Sequence, residues 1–357
     1  MVHRRRRPSS PSPALEPNPP LEDENLLAEC LLRLPPRPSS LPRASLVCKQ
    51  WRRLVSDPHF LLRFRNRHAK PPLIGFFSHY LVGRRVTVEF TPALDPPDRV
   101  PPARFSMRLD GVKSMVLGCR HGRVLVIDWE QLDLLIWDPA TDEQLPVSIP
   151  PVFDRKPHLI DGAVVCAGGE GHAHGECRSN PFQVIMVATR WEGVSACVYS
   201  SATDAWGNLI SQLWPSPTPQ RRLSNRSFSD NRHSILVGNS IYWLLVGHQA
   251  SILKFDLEAQ SLDVIEAPPN VYKIHEVVHG KRQFLVTPAD GGGLGFLVFS
   301  APGFSAQLWK RDGVARWVLG NTIKLSNLLS MTPSVGHAGD VHALTGSLPG
   351  ESFDGLC

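Results

Sequence analysis

A chain of 357 residues with 42% apolar content is long enough for one large or two modest packed domains. Its formal charge is +5, and Arg4 to Arg7 supply four of those positives, so the remainder is nearly neutral and nothing in the balance demands a nucleic-acid partner. No run reaches the ~18 uninterrupted apolar residues of a membrane span, and no apolar segment follows the basic N-terminus as in a signal peptide, so no membrane association is expected.

Seven cysteines, an odd number with no Cys-x-x-Cys pair, fit reduced core thiols rather than a disulfide framework. A soluble protein of the nucleus, the cytoplasm or both is the expectation. Residues 1–19 read as a disordered basic tail of Pro and Ser, unable to bury enough surface to offset ordering. The four arginines within it are a weak nuclear-import motif.

Helical signals begin at residue 20. Leu26, Leu27, Cys30, Leu31 and Leu34 fall at helical spacing after an acidic start, Glu22-Asp23-Glu24, which suits the positive end of a helix dipole. The spacing predicts a helix over 23–34, stopped by Pro35-Pro36. A second helix opens at Ser39 or Ser40 with Pro42 in its first turn, its apolar face reading Leu41, Ala44, Val47, Cys48, Trp51, Leu54 and Val55. Asp57-Pro58 repeats the cap-then-proline signal and starts a third helix carrying Phe60, Leu61 and Phe64.

Three helices in about 45 residues bury little apolar surface, so part of it, around Leu26, Leu27, Val47 and Trp51, is expected to stay open for another protein. The alternative is a helical bundle docked on its own C-terminal domain.

The run from Pro20 through Leu26, Leu27, Leu34-Pro35-Pro36 and Val47-Cys48-Lys49 to Trp51 and Asp57-Pro58-His59-Phe60 resembles an F-box, the docking module of ubiquitin-ligase substrate receptors. The resemblance implies that Pro20, Leu21, Leu26, Leu27, Leu31, Pro35, Val47, Cys48, Lys49 and Trp51 contact or support a Skp-type adaptor protein, and through it a cullin. Two departures stand out. The family opens Leu-Pro-x-Asp where this chain has Pro20-Leu21-Glu22-Asp23, and the link between the first two helices is about two residues longer than usual.

From about residue 70 the texture changes to short Val-, Leu-, Ile-, Phe- and Trp-rich runs separated by Gly, Asp, Asn and Pro, which predicts strands. A strand-turn-strand-turn-strand pattern recurs. It is clearest at Val124 to Leu145, around Ile136-Trp137-Asp138, and at Ile235 to Ile265, around Lys254-Phe255-Asp256. It is fainter at Ala196 to Trp206 and at Gln307 to Arg311. The centres lie 54 to 62 positions apart, close to the ~50-residue blade period of kelch-like propellers.

Single small sheets cannot cover their own faces, so several must stack about an axis with aromatic residues between them. That assigns Trp129, Trp137, Trp191, Trp206, Trp243, Trp309 and Trp317 to packing rather than to stacking a ligand.

The arrangement, with its linker Arg67-His68-Ala69-Lys70-Pro71-Pro72-Leu73-Ile74-Gly75-Phe76-Phe77, is similar to the F-box-associated domains of many plant proteins. The expected fold is therefore an α+β multidomain chain: a small three-helix F-box over 20–68, then an all-β propeller-like domain over 69–357. Four or five blades are countable. Gly346 to Cys357 shows no strand pattern that would complete a ring, so the sequence leaves both a closed and an incomplete propeller open.

Catalytic patterns are nearly missing. There is no Gly-x-Ser-x-Gly elbow, no phosphate-binding loop ending in Lys-Ser or Lys-Thr, and no His-Glu-x-x-His helix. Gly291 to Gly295 lies between strand-like runs and opens no helix, so it reads as a hairpin turn. Glu170, His172, His174 and Cys177 are plausible metal ligands by type but lack the second half of a zinc pattern, and they read as an exposed loop. Asp128, Asp138, Asp142, Asp204 and Asp256 fall at strand ends, where aspartate caps turns through bonds to nearby backbone amides.

The expectation is a non-catalytic substrate receptor with no cofactor and no metal, whose β domain binds a target protein. Exposed loops such as Trp214 to Asn231 are candidates for that contact. The alternatives are a β-propeller enzyme or sugar-binding protein, and an F-box decoy that degrades nothing.

Overall fold

The computed structural model describes residues 23–68, 72–82, 85–110, 114–154, 159–168, 177, 180–190, 192–214, 227–228, 234–246, 250–269, 271, 284–300, 305–313 and 316–324. The chain divides after Pro72 into a helical unit and a β unit. No described helix is long and apolar enough to cross a membrane.

Among its described residues the helical unit has four helices rather than three: α1 (Glu24–Leu31), α2 (Ser40–Ser45), α3 (Lys49–Val55) and α4 (Pro58–Arg67). Asp23 caps α1, its carboxylate accepting from the amides of Asn25 at 2.8 Å and Leu26 at 3.2 Å. Asp57 caps α4 by accepting from Phe60 N at 2.9 Å, with Pro58 in the first turn.

Helix α1 is shorter than the spacing predicts. Its last turns tighten to three-residue bonds, Arg33 N to Cys30 O and Leu34 N to Leu31 O, before the prolines arrive. The predicted second helix breaks at Leu46, Val47 and Cys48, where Cys48 is fully extended. A β-branched valine beside a cysteine is a weak place to continue a helix already carrying Pro42. Ser39 stands at the start of α2 without a side-chain cap bond. Leu27, Ala28, Leu31, Leu32, Ala44, Val55, Phe60 and Phe64 form the core, with Leu34, Leu41, Trp51 and Leu54 packed against it.

The β unit is a β-propeller of five blades, each a separate antiparallel sheet. The first blade holds β1 (Gly75–Val82), β2 (Arg85–Pro92) and β3 (Met107–Asp110). The second holds β4 (Ser114–Arg120), β5 (Arg123–Asp128), β6 (Asp133–Asp138) and β7 (Glu143–Ser148), followed by the short α5 (Pro151–Asp154). The third holds β8 (Leu159–Cys166), β9 (Phe182–Thr189), β10 (Gly193–Ser200), β11 (Ala205–Trp206) and β12 (Ile210–Leu213), the last two both pairing with β10.

In the fourth, β13 (Ser227–Phe228) and β14 (Ile235–Val237) share the inner edge of β15 (Ser240–Val246), followed by β16 (Ser251–Asp256) and β17 (Ser261–Glu266). The fifth runs β18 (Phe284–Ala289), β19 (Gly293–Ser300), β20 (Ser305–Arg311) and β21 (Trp317–Lys324).

First strands of successive blades lie side by side: β1 by β4, β4 by β8, β8 by β13, and β14 by β18. Alternate side chains of each strand then enter the layer on either side. Ile160 and Val164 face the second blade, while Ala163 and Val165 face the fourth. Gly162 marks a close approach in this packing, since a Cβ there would stand 3.2 Å from Leu125 and 3.3 Å from Leu117.

The tryptophans fill the layers as expected. Trp137 and Trp243 are among the largest fully buried side chains, and Trp129, Trp206, Trp309 and Trp317 pack against core clusters. Trp191 lies outside the described residues. Two tryptophans also fasten neighbouring blades. Trp206 Nε1 donates to Ser148 O at 3.0 Å, and Trp317 Nε1 donates to Glu266 O at 2.8 Å, each acceptor ending the last strand of the preceding blade.

The turn between the third and fourth strands repeats as well. Asp142, Asp204 and Gln260 each stand five residues after an aromatic, and all take positive φ (65°, 50° and 46°). Asp142 accepts from Trp137 Nε1 at 3.0 Å, and Asp204 accepts from Tyr199 OH at 2.6 Å. These two aspartates therefore bond side chains rather than the backbone amides expected of them. Asp128, Asp138 and Asp256 do accept from turn amides. Gly291 (φ 88°) and Gly292 (φ 82°) turn β18 into β19, with Gly292 N bonded to Ala289 O at 3.1 Å.

Candidate functional site

The helical unit's surface departs from its own helical pattern at two places. On α1, Leu26 is 51% exposed while its neighbour Leu27 is 0% exposed. At the α2–α3 link, Leu46 is 74% and Val47 62% exposed, with Cys48 and Lys49 also exposed. The link is held in this shape by local bonds. Leu46 N and Val47 N reach the carbonyls of Arg43 and Ala44, and Arg52 Nε donates to Ser45 O at 3.3 Å.

Ion pairs tie α1 to the rest of the bundle, Arg53 to Glu24 at 2.7 Å and Arg63 to Glu29. Both are exposed, so they orient the helices more than they stabilise them. His68 Nε2 lies 3.1 Å from Leu32 O, and its ring packs 4.6 Å from that of Phe64, closing the end of α4 on the residue after α1.

Of the residues expected to meet an adaptor, Leu26, Pro35, Val47, Cys48 and Lys49 are exposed, and Trp51 is half-buried. Leu27, expected on the open surface, lies instead with Leu31 inside the bundle's own core, where both can only support that surface. Helical spacing places Leu26 and Leu27 on the same broad stripe. Packing of α1 into a core shared with Ala44, Val55, Phe60 and Phe64 separates them. Cys30, also assigned to that stripe, is exposed. Pro20 and Leu21 lie outside the described residues. Leu46 was missed, although the weak helix formers that follow it could have signalled a break with apolar residues on its outside.

Leu46 and Val47 thus form an exposed apolar link on a folded helical unit.

In the β unit, the buried polar groups at the β4–β5 turn serve packing. Arg120 Nη2 donates to Ser234 O at 2.9 Å, bridging the second blade to the fourth. Arg123 Nη2 donates to Asn180 O at 3.3 Å, with its guanidinium 4.6 Å from the Phe182 ring centroid. Cys177, expected in an exposed loop, is fully buried with its sulfur 3.7 Å from His121 Nδ1. Glu170, His172 and His174 lie outside the described residues.

Among the described residues no group of three His, Cys, Asp or Glu side chains could hold a metal ion. Burial pushes the Cys197 thiol up, which disfavours the nucleophilic thiolate. Trp214, at the start of the segment singled out for target binding, packs against the core and donates its indole N–H to Arg190 O at 3.0 Å. Residues 215–226 and 229–231 of that segment lie outside the described residues.

Two family models match the chain. One is described as an F-box domain and matches residues 23–63; the other, F-box protein AT5G49610-like, beta-propeller, matches residues 115–340. No curated protein matches.

Solved structures with a similar arrangement include dihydro-heme d1 dehydrogenase NirN in complex with DHE, at 10% identity and TM-score 0.37, covering 72% of this chain and 48% of that one. This chain thus spans about half the length of NirN. A luciferin-regenerating enzyme follows at 14% identity and TM-score 0.33, with 70% and 76% covered. Apo AztD from Citrobacter koseri stands at 14% identity and TM-score 0.34, with 70% and 72% covered. Likeness at this level carries no activity across.

Proposed function

We propose, since this chain belongs to the family of F-box proteins with an AT5G49610-like β-propeller, that it is a substrate receptor of a Skp-cullin-F-box ubiquitin ligase. The helical unit docks on a Skp-type adaptor, and the β unit holds a target protein beside the charged ubiquitin-conjugating enzyme. The mechanism is proximity. Tethering raises the effective concentration of a target lysine at the thioester, so the receptor needs no catalytic groups of its own. A reducing setting, nuclear or cytoplasmic, goes with this reading and with Cys30, Cys48 and Cys197 as free thiols.

The observation that carries the reading is the exposed apolar link Leu46-Val47, outside a core that already contains Leu27 and Leu31. An adaptor helix packed there would remove these side chains from water, a gain of about 1.5–3 kcal/mol for each fully buried one.

The test is co-purification of a Skp-type adaptor with the full chain and with Leu46→Glu and Val47→Glu variants. Loss of the adaptor from both, with the melting temperature unchanged, is the expected result. Full retention in both would overturn the docking surface. A decoy that recruits the adaptor without degrading anything is separated by removing the protein from cells: a substrate receptor has a target that accumulates, whereas a decoy has none.

A further inference from the structure

Among the described residues, the outermost strand of the fifth blade differs from the outer strands of the other four. Exposed sheet edges invite another chain to pair, and folds blunt them with short strands, charges or proline. Here β3 is four residues long and carries Arg108 and Asp110, β7 contains Glu143 and Pro146, β11 and β12 are two and four residues long, and β17 contains Asp263 and Glu266.

Strand β21 runs for eight residues, Trp317–Lys324, with no proline and no charge before its last residue. Every position after Trp317 is exposed. Val318 (52%), Leu319 (45%) and Ile323 (41%) are three of the exposed large hydrophobic residues of the β unit, gathered on one strand.

The strand is also held ready. Trp317 is pinned to Glu266 O and stacks edge-on against Phe296 at 6.0 Å, and the preceding turn is closed by Asp312, whose carboxylate accepts from Arg316 N at 2.7 Å. A bulge sets Gly320 and Asn321 opposite Leu308, bending the edge into two arms on either side of those residues.

Charge specifies the occupant. The β20–β21 hairpin carries Lys310, Arg311, Arg316 and Lys324 against the single acid Asp312, and the balance stays positive with Lys310 paired to Asp290 of the β18–β19 turn at 3.1 Å, although acidic residues outnumber basic ones over residues 73–357 as a whole. Two copies paired edge to edge would bring like charges together, whereas an acidic strand would be attracted.

We propose that β21 is a docking edge for an extended, acidic segment of a partner protein, which adds to the fifth blade as a further strand. Main-chain bonds supply the attraction, and Val318 and Ile323 meet the partner's alternate apolar side chains. This rests on the reading of the β unit as the part that holds a target, and it names where and by what chemistry.

The test uses the full chain and a fluorescent, end-capped ten-residue peptide alternating valine with glutamate. Comparison peptides replace glutamate with lysine, or carry N-methyl groups on alternate amides. Binding is read by anisotropy, and its site by hydrogen exchange of residues 317–324. The acidic peptide is expected to bind and protect those amides, and to bind about tenfold or more weakly when N-methylated, when lysine replaces glutamate, or to the V318E/I323E variant at unchanged melting temperature.

Equal binding of all three peptides, or protection elsewhere in the chain, overturns the proposal. So does no binding, and so does protection of 317–324 without peptide, which would mean that the chain itself or a second copy covers the edge. Adaptor co-purification from the same preparation separates the two readings: adaptor retained with no peptide bound removes the docking edge and leaves the receptor role standing.

Discussion

Trp206 reaches out of the third blade to donate its indole N–H to the carbonyl of Ser148, the last residue of the second blade's outer strand, at 3.0 Å. Two blades on, Trp317 makes the same bond to Glu266. The outer rims of these sheets are therefore joined by hydrogen bonds as well as by apolar packing, and each bond spans more than 50 residues of sequence.

Trp206→Phe and Trp317→Phe keep most of the apolar area and remove the donor. Each is expected to lower stability by about 1 kcal/mol. The bonds lie in different layers, so the double variant should cost close to the sum of the two. Urea unfolding measures this; a neutral Trp206→Phe would mean that the bond does not hold the rim.

Leu27 and Val47 should separate stability from docking. Leu27→Ala removes a fully buried side chain and should destabilise the helical unit by about 2–5 kcal/mol. Val47→Ala, at an exposed position, should change stability by no more than about 0.5 kcal/mol while weakening adaptor capture. Thermal unfolding alongside co-purification checks both, and equal stability losses would contradict the assigned burial.

Burial pushes the Tyr199 phenol up to about 12, and its hydrogen bond to Asp204 and that carboxylate's charge act in the same direction. The folded state thus favours the protonated ring. The stability it contributes is complete below about pH 10, the ordinary tyrosine value, and is lost as pH rises through about 12. Denaturant unfolding at a series of pH values should show a steeper alkaline fall for the native chain than for Tyr199→Phe. Identical slopes would count against it.

Asp256 shifts the other way. The amide of Ala259 chiefly holds its carboxyl below the usual 3.8, with help from Lys254 and the amide of Glu258, while burial opposes them. Its contribution is present above that value and disappears as pH falls through the lowered folded one. Asp256→Asn should therefore flatten the acid limb of stability, and an unchanged acid limb would show that the turn does not need the charge.

What could be read from residues alone was whatever depends on the local chain. Apolar spacing, the Asp-Pro start of α4, the Pro35-Pro36 stop and the Gly291-Gly292 turn each act through a few neighbouring dihedrals, so helix, strand and turn followed. The blade repeat was legible for the same reason, because every copy solves the same local problem.

Tertiary packing decided the rest. Leu26 and Leu27 are chemically identical and adjacent, yet one is half exposed and the other sealed, because the core formed with the other helices and not the periodicity of α1 chooses the inner face. The break at Leu46, Val47 and Cys48, the burial of Cys177 against His121, and the use of Asp142 and Asp204 as acceptors for aromatic side chains likewise depend on which groups meet in three dimensions. Burial and hydrogen bonding are properties of such meetings, and linear order does not carry them.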